Sequence, residues 1–304
     1  MQLSELTTLD LALVDELRKQ ETHTDCADAA RRLLHRGDLV DLADVGVAPG
    51  TPEALLCFGS RFYYVATHSS WRVAEIAFTV IASADQLTEI AKNHRPVEVW
   101  AAACWAVGTA GKSRFVQVVL AGCALGMAVL EVLGPDDRFA DIFLDSPLPD
   151  ALLKRVGDSN QRVLNAVDQF ILEITRFCGP VLFADLSTPP TGVVTDPARA
   201  VDELVKLPQR ALVSRLDLVR EIVLAVGPPA TDKEEYSVAT CMPLMVAGLR
   251  ANGQDSRHAA VDLATQLFSD LGQDFLPVLT SYRALIPQNL IELINQRFDE
   301  ERPD

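Results

Sequence analysis

Apolar residues recur at three- and four-residue steps along most of this 304-residue chain. That spacing lays one buried stripe along a helix. It predicts helices over 163–177, 212–226, 237–249 and 258–271 most clearly, and over 3–19, 27–35, 52–66, 72–82, 86–93 and 115–133. A further helix over 97–107 is opened by Pro96, which suits a first helical turn. Strand-like alternation is confined to short pieces such as 61–65 and 97–99. Between the helices stand helix-ending signals: Gly134-Pro135, Gly179-Pro180, Gly227-Pro228-Pro229 and Gly272. The run 187–195, STPPTGVVT, reads as an exposed loop.

A weak internal repeat organises these helices. Residues 148–179 read as a short amphipathic helix, a G-D-S-N-Q-R turn, a long helix and Gly; residues 242–272 repeat the order around A-N-G-Q-D-S-R. Both long helices carry Ala-Val-Asp, at 166–168 and 260–262, and both turns end in arginine, Arg162 and Arg257. Residues 54–82 follow the scheme more loosely around H-S-S-W-R. Helical hairpins recurring at about 40 residues signify a HEAT-type α-solenoid, in which each pair completes its neighbour's core. The fold expected is therefore all-α, a solenoid of about six hairpins over 51–304. Residues 1–50 are expected to form an N-terminal helical extension or cap.

Composition narrows the classes. With 27 Lys+Arg against 42 Asp+Glu the net charge is −15, and 49% of residues are hydrophobic, enough for a large core. Excess acid argues against nucleic-acid binding, which needs a basic stripe. The most apolar run, 115–133, is interrupted by Gln117, Gly122, Gly126 and Glu131, and the N-terminus lacks a basic leader, so no membrane role and a cytoplasmic location are expected. Cys26, Cys57, Cys104, Cys123, Cys178 and Cys241 sit singly in apolar stretches and read as reduced, buried thiols.

Candidate chemistry is sparse. Residues 106–113, AVGTAGKS, end like a phosphate-binding loop with Lys112 in the lysine position, and Val181–Asp185 resembles its magnesium-binding strand. Such a loop must leave a strand of a parallel sheet, for which the chain offers almost no βαβ alternation, so nucleotide binding is a remote alternative to a solvated turn. The five histidines are scattered, no G-x-S-x-G elbow is present, and Asp136-Asp137 and Glu234-Glu235 read as solvated helix-start charges. No metal site, cofactor or enzymatic activity is expected.

Trp71 is more informative, because it falls in a turn between two helices beside a cation. Two readings stand: an exposed interface anchor, or an indole folded back into the core. Arg72, Arg162 and Arg257 occupy the same place in their repeats, and Lys112, Arg114 and Arg215 are assigned to equivalent turns. Equivalent turns of a solenoid stack along one edge, which would gather these cations on an otherwise acidic protein. An acidic scaffold for a basic protein or peptide is the alternative that the overall charge favours.

Three stretches carry a family resemblance: Phe58-Gly59…Ser70-Trp71-Arg72, then Ser256-Arg257-His258-Ala259-Ala260-Val261-Asp262, then Leu285-Ile286-Pro287-Gln288…Phe298-Asp299-Glu300. Together they resemble the first repeat, last repeat and terminal helix of TOG domains, most of all the TOG domain of ciliary-tip centrosomal proteins. The resemblance implies a paddle of six HEAT repeats that binds αβ-tubulin through its intra-repeat turns, at a microtubule or ciliary tip. It implies Trp71 as the aromatic packing on β-tubulin, with Arg72, Arg162 and Arg257 as contacts further along the edge.

Overall fold

The computed structural model describes residues 57–59, 62, 66, 71–190, 192, 194–230 and 236–301. The predicted helices at 3–19 and 27–35, and the extension 1–50 as a whole, lie outside the described residues. Among those described the secondary structure is helical, relieved by one isolated bridge, Ala230 to Ser237. Residues 97–99, read as strand-like, are helical. The chain divides into two compact units, Met1–Lys154 with Asn165–Glu173, and Arg155–Leu164 with Ile174–Asp304.

The first unit contains α1 (Trp71–Ile81), α2 (Ala84–Asn93), α3 (Pro96–Gly111), α4 (Val116–Leu133), α5 (Phe139–Leu144) and α6 (Leu148–Leu153). It also holds the middle of α7 (Gln161–Cys178). Helices α3 and α4 form a hairpin; α1 and α2 pack on α4, and α5 and α6 on α3. Close approach depends on small residues. A Cβ at Gly122 would lie 2.4 Å from the Ala110 methyl, and one at Gly126 would lie 2.3 Å from the buried Phe170 ring. Trp100, fully buried, donates its indole N–H to the Phe139 carbonyl at 3.0 Å, which ties α3 to the start of α5. By length and composition α4 is apolar enough to cross a membrane, interruptions notwithstanding; here it is a core helix packed by α1, α2 and α3.

The starts of α3 and α5 neutralise their own charges. Arg95 donates to Glu98 at 2.6 Å, and Arg138 to Asp136 at 2.7 Å. Asp136 also accepts the Arg138 backbone N–H, and these bonds hold its pKa down at about 2. The folded value lies below the unfolded one, so this pair's contribution is present above the ordinary aspartate pKa and is lost as pH falls towards 2. A carbon-detected NMR titration should find the Asp136 midpoint near 2. In Arg138→Ala it should rise only part of the way to the ordinary value of about 3.9, because the backbone N–H of residue 138 still donates to it.

The second unit contains the ends of α7, then α8 (Phe183–Ser187), α9 (Pro197–Val205), α10 (Gln209–Val226), α11 (Val238–Arg250), α12 (Gln254–Leu271), α13 (Phe275–Ser281) and α14 (Gln288–Glu301). Helix α12 packs on α10, α11 and α14, while α8 and α9 pack on α11. Phe268 of α12 stacks on Phe298 of α14 with ring centroids 4.0 Å apart, and Phe275 meets Phe298 edge-on. Asp196 caps α9 by accepting the Ala198 N–H, with Pro197 in the first turn. Cys57, Cys104, Cys123 and Cys241 are buried and not in disulfides; burial pushes the Cys178 and Cys241 thiols up to about 12, which keeps them protonated and unreactive.

Candidate functional site

In chain order the second helix of each hairpin is α1, α4, α7, α10, α12 and α14, and the turns before them carry the candidate residues. In the first unit Trp71 opens α1 and is half-buried, between the two positions open to it in the sequence. Its ring lies 6.3 Å from that of Phe115, the N-cap of α4. The exposed Arg72 guanidinium sits 5.4 Å from the Trp71 centroid, and the exposed Arg114 guanidinium 4.9 Å from the Phe115 centroid. Arg72, Trp71, Phe115 and Arg114 thus form one cation–aromatic cluster from two turns, in a geometry favourable to cation–π attraction. Lys112, exposed, is the C-cap of α3. Lys112 and Arg114 make no ion pair with a described residue, and the first turn of α4 holds no acid to balance them. The Ser113 hydroxyl accepts the Phe115 N–H at 3.2 Å and fixes the turn between them.

This geometry corrects the phosphate-loop reading. Helix α3 continues to Gly111, so the G-T-A-G run is its last turn, where carbonyls rather than N–H groups are left over. Gly108 and Gly111 are buried packing contacts: a Cβ would meet the Leu148 backbone at 3.2 Å and the Ala151 methyl at 3.0 Å. Val181–Asp185 is no strand either, since Phe183 begins α8. No phosphate cradle exists there. Among the described residues no group of His, Cys, Asp and Glu is placed to hold a metal.

In the second unit three turns adjoin. Gly157 has φ +79°, and a Cβ there would lie 2.4 Å from the Ala211 Cα, so the turn before α7 presses on the first turn of α10. Arg210 fastens this contact, donating to the Ser159 carbonyl at 2.9 Å and to Gln161 at 2.6 Å. Gln209 reaches the turn before α12, where a Cβ on Gly253 would touch its amide. Turn stacking therefore holds within this unit.

The predicted cations fare differently. Arg162 is exposed at the second position of α7, behind an Asn160 cap. Arg257 is half-buried, and its guanidinium donates at 2.9 Å to both Ala251 and Asn252 carbonyls, closing the end of α11. Arg215 is not on a turn: it lies inside α10, 5% exposed, and donates to the carbonyls of Asp185, Leu186 and Thr188 at 2.8–3.1 Å. Its assignment to a partner-facing edge is corrected accordingly; it closes the short helix α8. The residue equivalent to Arg72 and Arg162 is Arg210, at the second position of α10. A signal for it exists, because Gln-Arg recurs at 161–162 and 209–210.

No family model matches the chain, and no curated protein does. Solved structures do. A CEP104 TOG domain matches with TM-score 0.52 and 17% identity, covering 84% of this chain and 98% of that one. The TOG domain of human Cep104 matches with TM-score 0.55 and 16% identity, covering 88% and 100%. A structure described under TOG–tubulin binding specificity in microtubule dynamics and mitotic spindle formation matches with TM-score 0.56 and 12% identity, covering 97% of each. The fold is therefore that of TOG domains, an all-α solenoid of HEAT-like hairpins, as the repeat and the resemblance imply.

Proposed function

We propose that this chain is a non-enzymatic docking module for αβ-tubulin, acting at a microtubule or ciliary tip in the cytoplasm and using the intra-hairpin turns of a TOG fold. The observation that carries the reading is the cation–aromatic cluster of Arg72, Trp71, Phe115 and Arg114 at the first unit's turns. Half-buried aromatics beside arginine have the composition of interface hot spots. Further support comes from the TOG neighbour whose description concerns tubulin binding. Arg162 also sits at the second position of its helix, where the helix dipole disfavours a cation by about 0.3–1 kcal/mol, which is consistent with a role in binding.

The net charge of −15 opposes approach to an acidic partner, but screening at about 0.1 M salt removes most of that beyond roughly 10 Å. At contact range the local cations decide. Trp71 would serve as the anchor, and the arginines would set orientation and on-rate. Trp71→Ala combined with Arg72→Ala should weaken co-elution with unpolymerised tubulin at low salt by tenfold or more, about 1.4 kcal/mol, with helical circular dichroism unchanged. Absence of co-elution by the wild type would refute the tubulin reading.

One observation favours a second reading, a scaffold for a basic peptide. Asp217 of α10 has its carboxyl pushed up, chiefly by desolvation and further by Asp262 and Glu221, with Arg220 opposing the rise. Arg220, paired with Glu221 at 2.8 Å, already offsets part of this gathering of carboxylates, and a cationic segment would relieve the rest. A pull-down that recovers a basic partner and leaves tubulin behind would favour it.

A further inference from the structure

We infer that the second unit carries a small binding cleft for an uncharged carboxamide group, at the opposite end of α11 from the bend before α12. The cleft is walled by the end of α8, the run that follows it, the first two turns of α11, and Tyr282. Helix α11 has 13 residues and so spans roughly 20 Å. The cleft is therefore remote from that bend and does not depend on the tubulin reading.

Its volume is about 250 Å³. An apolar cavity of about 150 Å³ is enough to hold benzene. Much of the wall is apolar, from Pro189, Val194, Pro197, Ala200 and Pro243. Residues 187–195, expected as an exposed loop, thus supply part of a wall, with Ser187 and Pro189 buried.

Ser187 is the residue that points to a ligand. It lines the cleft and is fully buried, and its Oγ has no hydrogen-bond partner among the described residues. A serine near a helix end ordinarily donates to a carbonyl about one turn back. Ser83 donates in this way to Val80 at 2.8 Å, and Ser281 to Val278 at 2.6 Å. Leaving such a buried group unmatched is costly. Pro243 adds an acceptor. It lies inside α11 and has no N–H for the Ala239 carbonyl four residues back, and both residues line the cleft. Thr240 and Tyr282 bring further hydroxyls, and burial, with Cys241 nearby, pushes the Tyr282 pKa up, so its O–H stays a donor.

Charge selects among ligands. Among the described residues no Asp, Glu, Lys, Arg or His lines the cleft. A carboxylate or an ammonium would lose water there with no opposite charge in return. A carboxamide has no charge to desolvate, and it offers an oxygen to the hydroxyls and an N–H to the carbonyl. A glutamine or asparagine side chain of a protein supplies that chemistry, and so does a free small amide.

The test uses the full chain and three probes followed by NMR shifts: glutamine capped at both ends, benzamide, and capped glutamate, which has the same shape with a charge. At least one amide should saturate at millimolar concentration, the tighter of the two identifying the source, and capped glutamate should bind more weakly than capped glutamine. Ser187→Ala should weaken amide binding about fivefold, the loss of one neutral hydrogen bond. Its melting temperature should hold or rise, because an unmatched hydroxyl has been removed. A purely structural serine would instead lower the melt and leave affinity alone. Pro243→Ala returns a helical N–H to the Ala239 carbonyl, and should also weaken the amide without lowering the melt. The proposal is overturned if neither amide binds at millimolar concentration, if capped glutamate binds as tightly as capped glutamine, or if Ser187→Ala keeps wild-type affinity.

Discussion

Gly157→Ala should destabilise the second unit by about 3 kcal/mol or more, and by more than Gly179→Ala, whose backbone strain alone costs about 1–3 kcal/mol. Both glycines have a positive φ, +79° and +77°, where a side chain is strained whatever space surrounds it. Their surroundings differ. A Cβ at Gly179 meets nothing within 4 Å, whereas one at Gly157 would lie 2.4 Å from the Cα of Ala211. Backbone cannot swing aside as a flexible side chain can, so α10 or the turn must move, and the bonds from Arg210 to Ser159 and Gln161 resist that movement. Urea unfolding of both variants, read by circular dichroism, isolates the collision from the φ penalty. Equal losses would mean that the turn before α7 does not bear on α10.

Arg215→Met should cost about 3 kcal/mol, and Arg215→Lys should recover only part of it. The guanidinium is nearly inaccessible and has been stripped of water, which lowers its pKa, although Asp185 nearby opposes the change. Three carbonyls at the end of α8 take the place of that water. Methionine fills much of the volume but donates nothing, which leaves those carbonyls without their charged donor. Lysine keeps a charge and three N–H donors, but its side chain ends one bond short of the Nη1 position from which all three carbonyls are reached. Thermal unfolding of the three proteins side by side gives the order. A methionine variant as stable as the wild type would show that solvent reaches those carbonyls.

The long second helices were legible because each buries one apolar stripe over four or five turns. Predicted 163–177 is observed as Gln161–Cys178, and predicted 258–271 as Gln254–Leu271. Their starts were placed late because the first turns are polar, and periodicity sees only apolar residues. That error misplaced Arg215: with a start at 212 it stands in the first turn, but with the true start at Gln209 it stands in the second, facing inward. Helices α5 and α8 are too short to show a period at all, and α9 was missed although Asp196-Pro197 carries the capping chemistry of its start. In the candidate site the arginine repeat was visible from residue type and spacing. The pairing of Trp71 with Phe115 was not, because it joins residues from different hairpins.

The glycines also separate two kinds of bend. Those that precede second helices are crowded, Gly157 against Ala211 and Gly253 against Gln209, whereas Gly134, Gly179, Gly227 and Gly272, which follow second helices, have open space where a side chain would begin. Open bends of this kind accept added sequence at little energetic cost. A fluorescent reporter or affinity tag spliced in after α4, α7, α10 or α12 would therefore leave the proposed contact rim untouched.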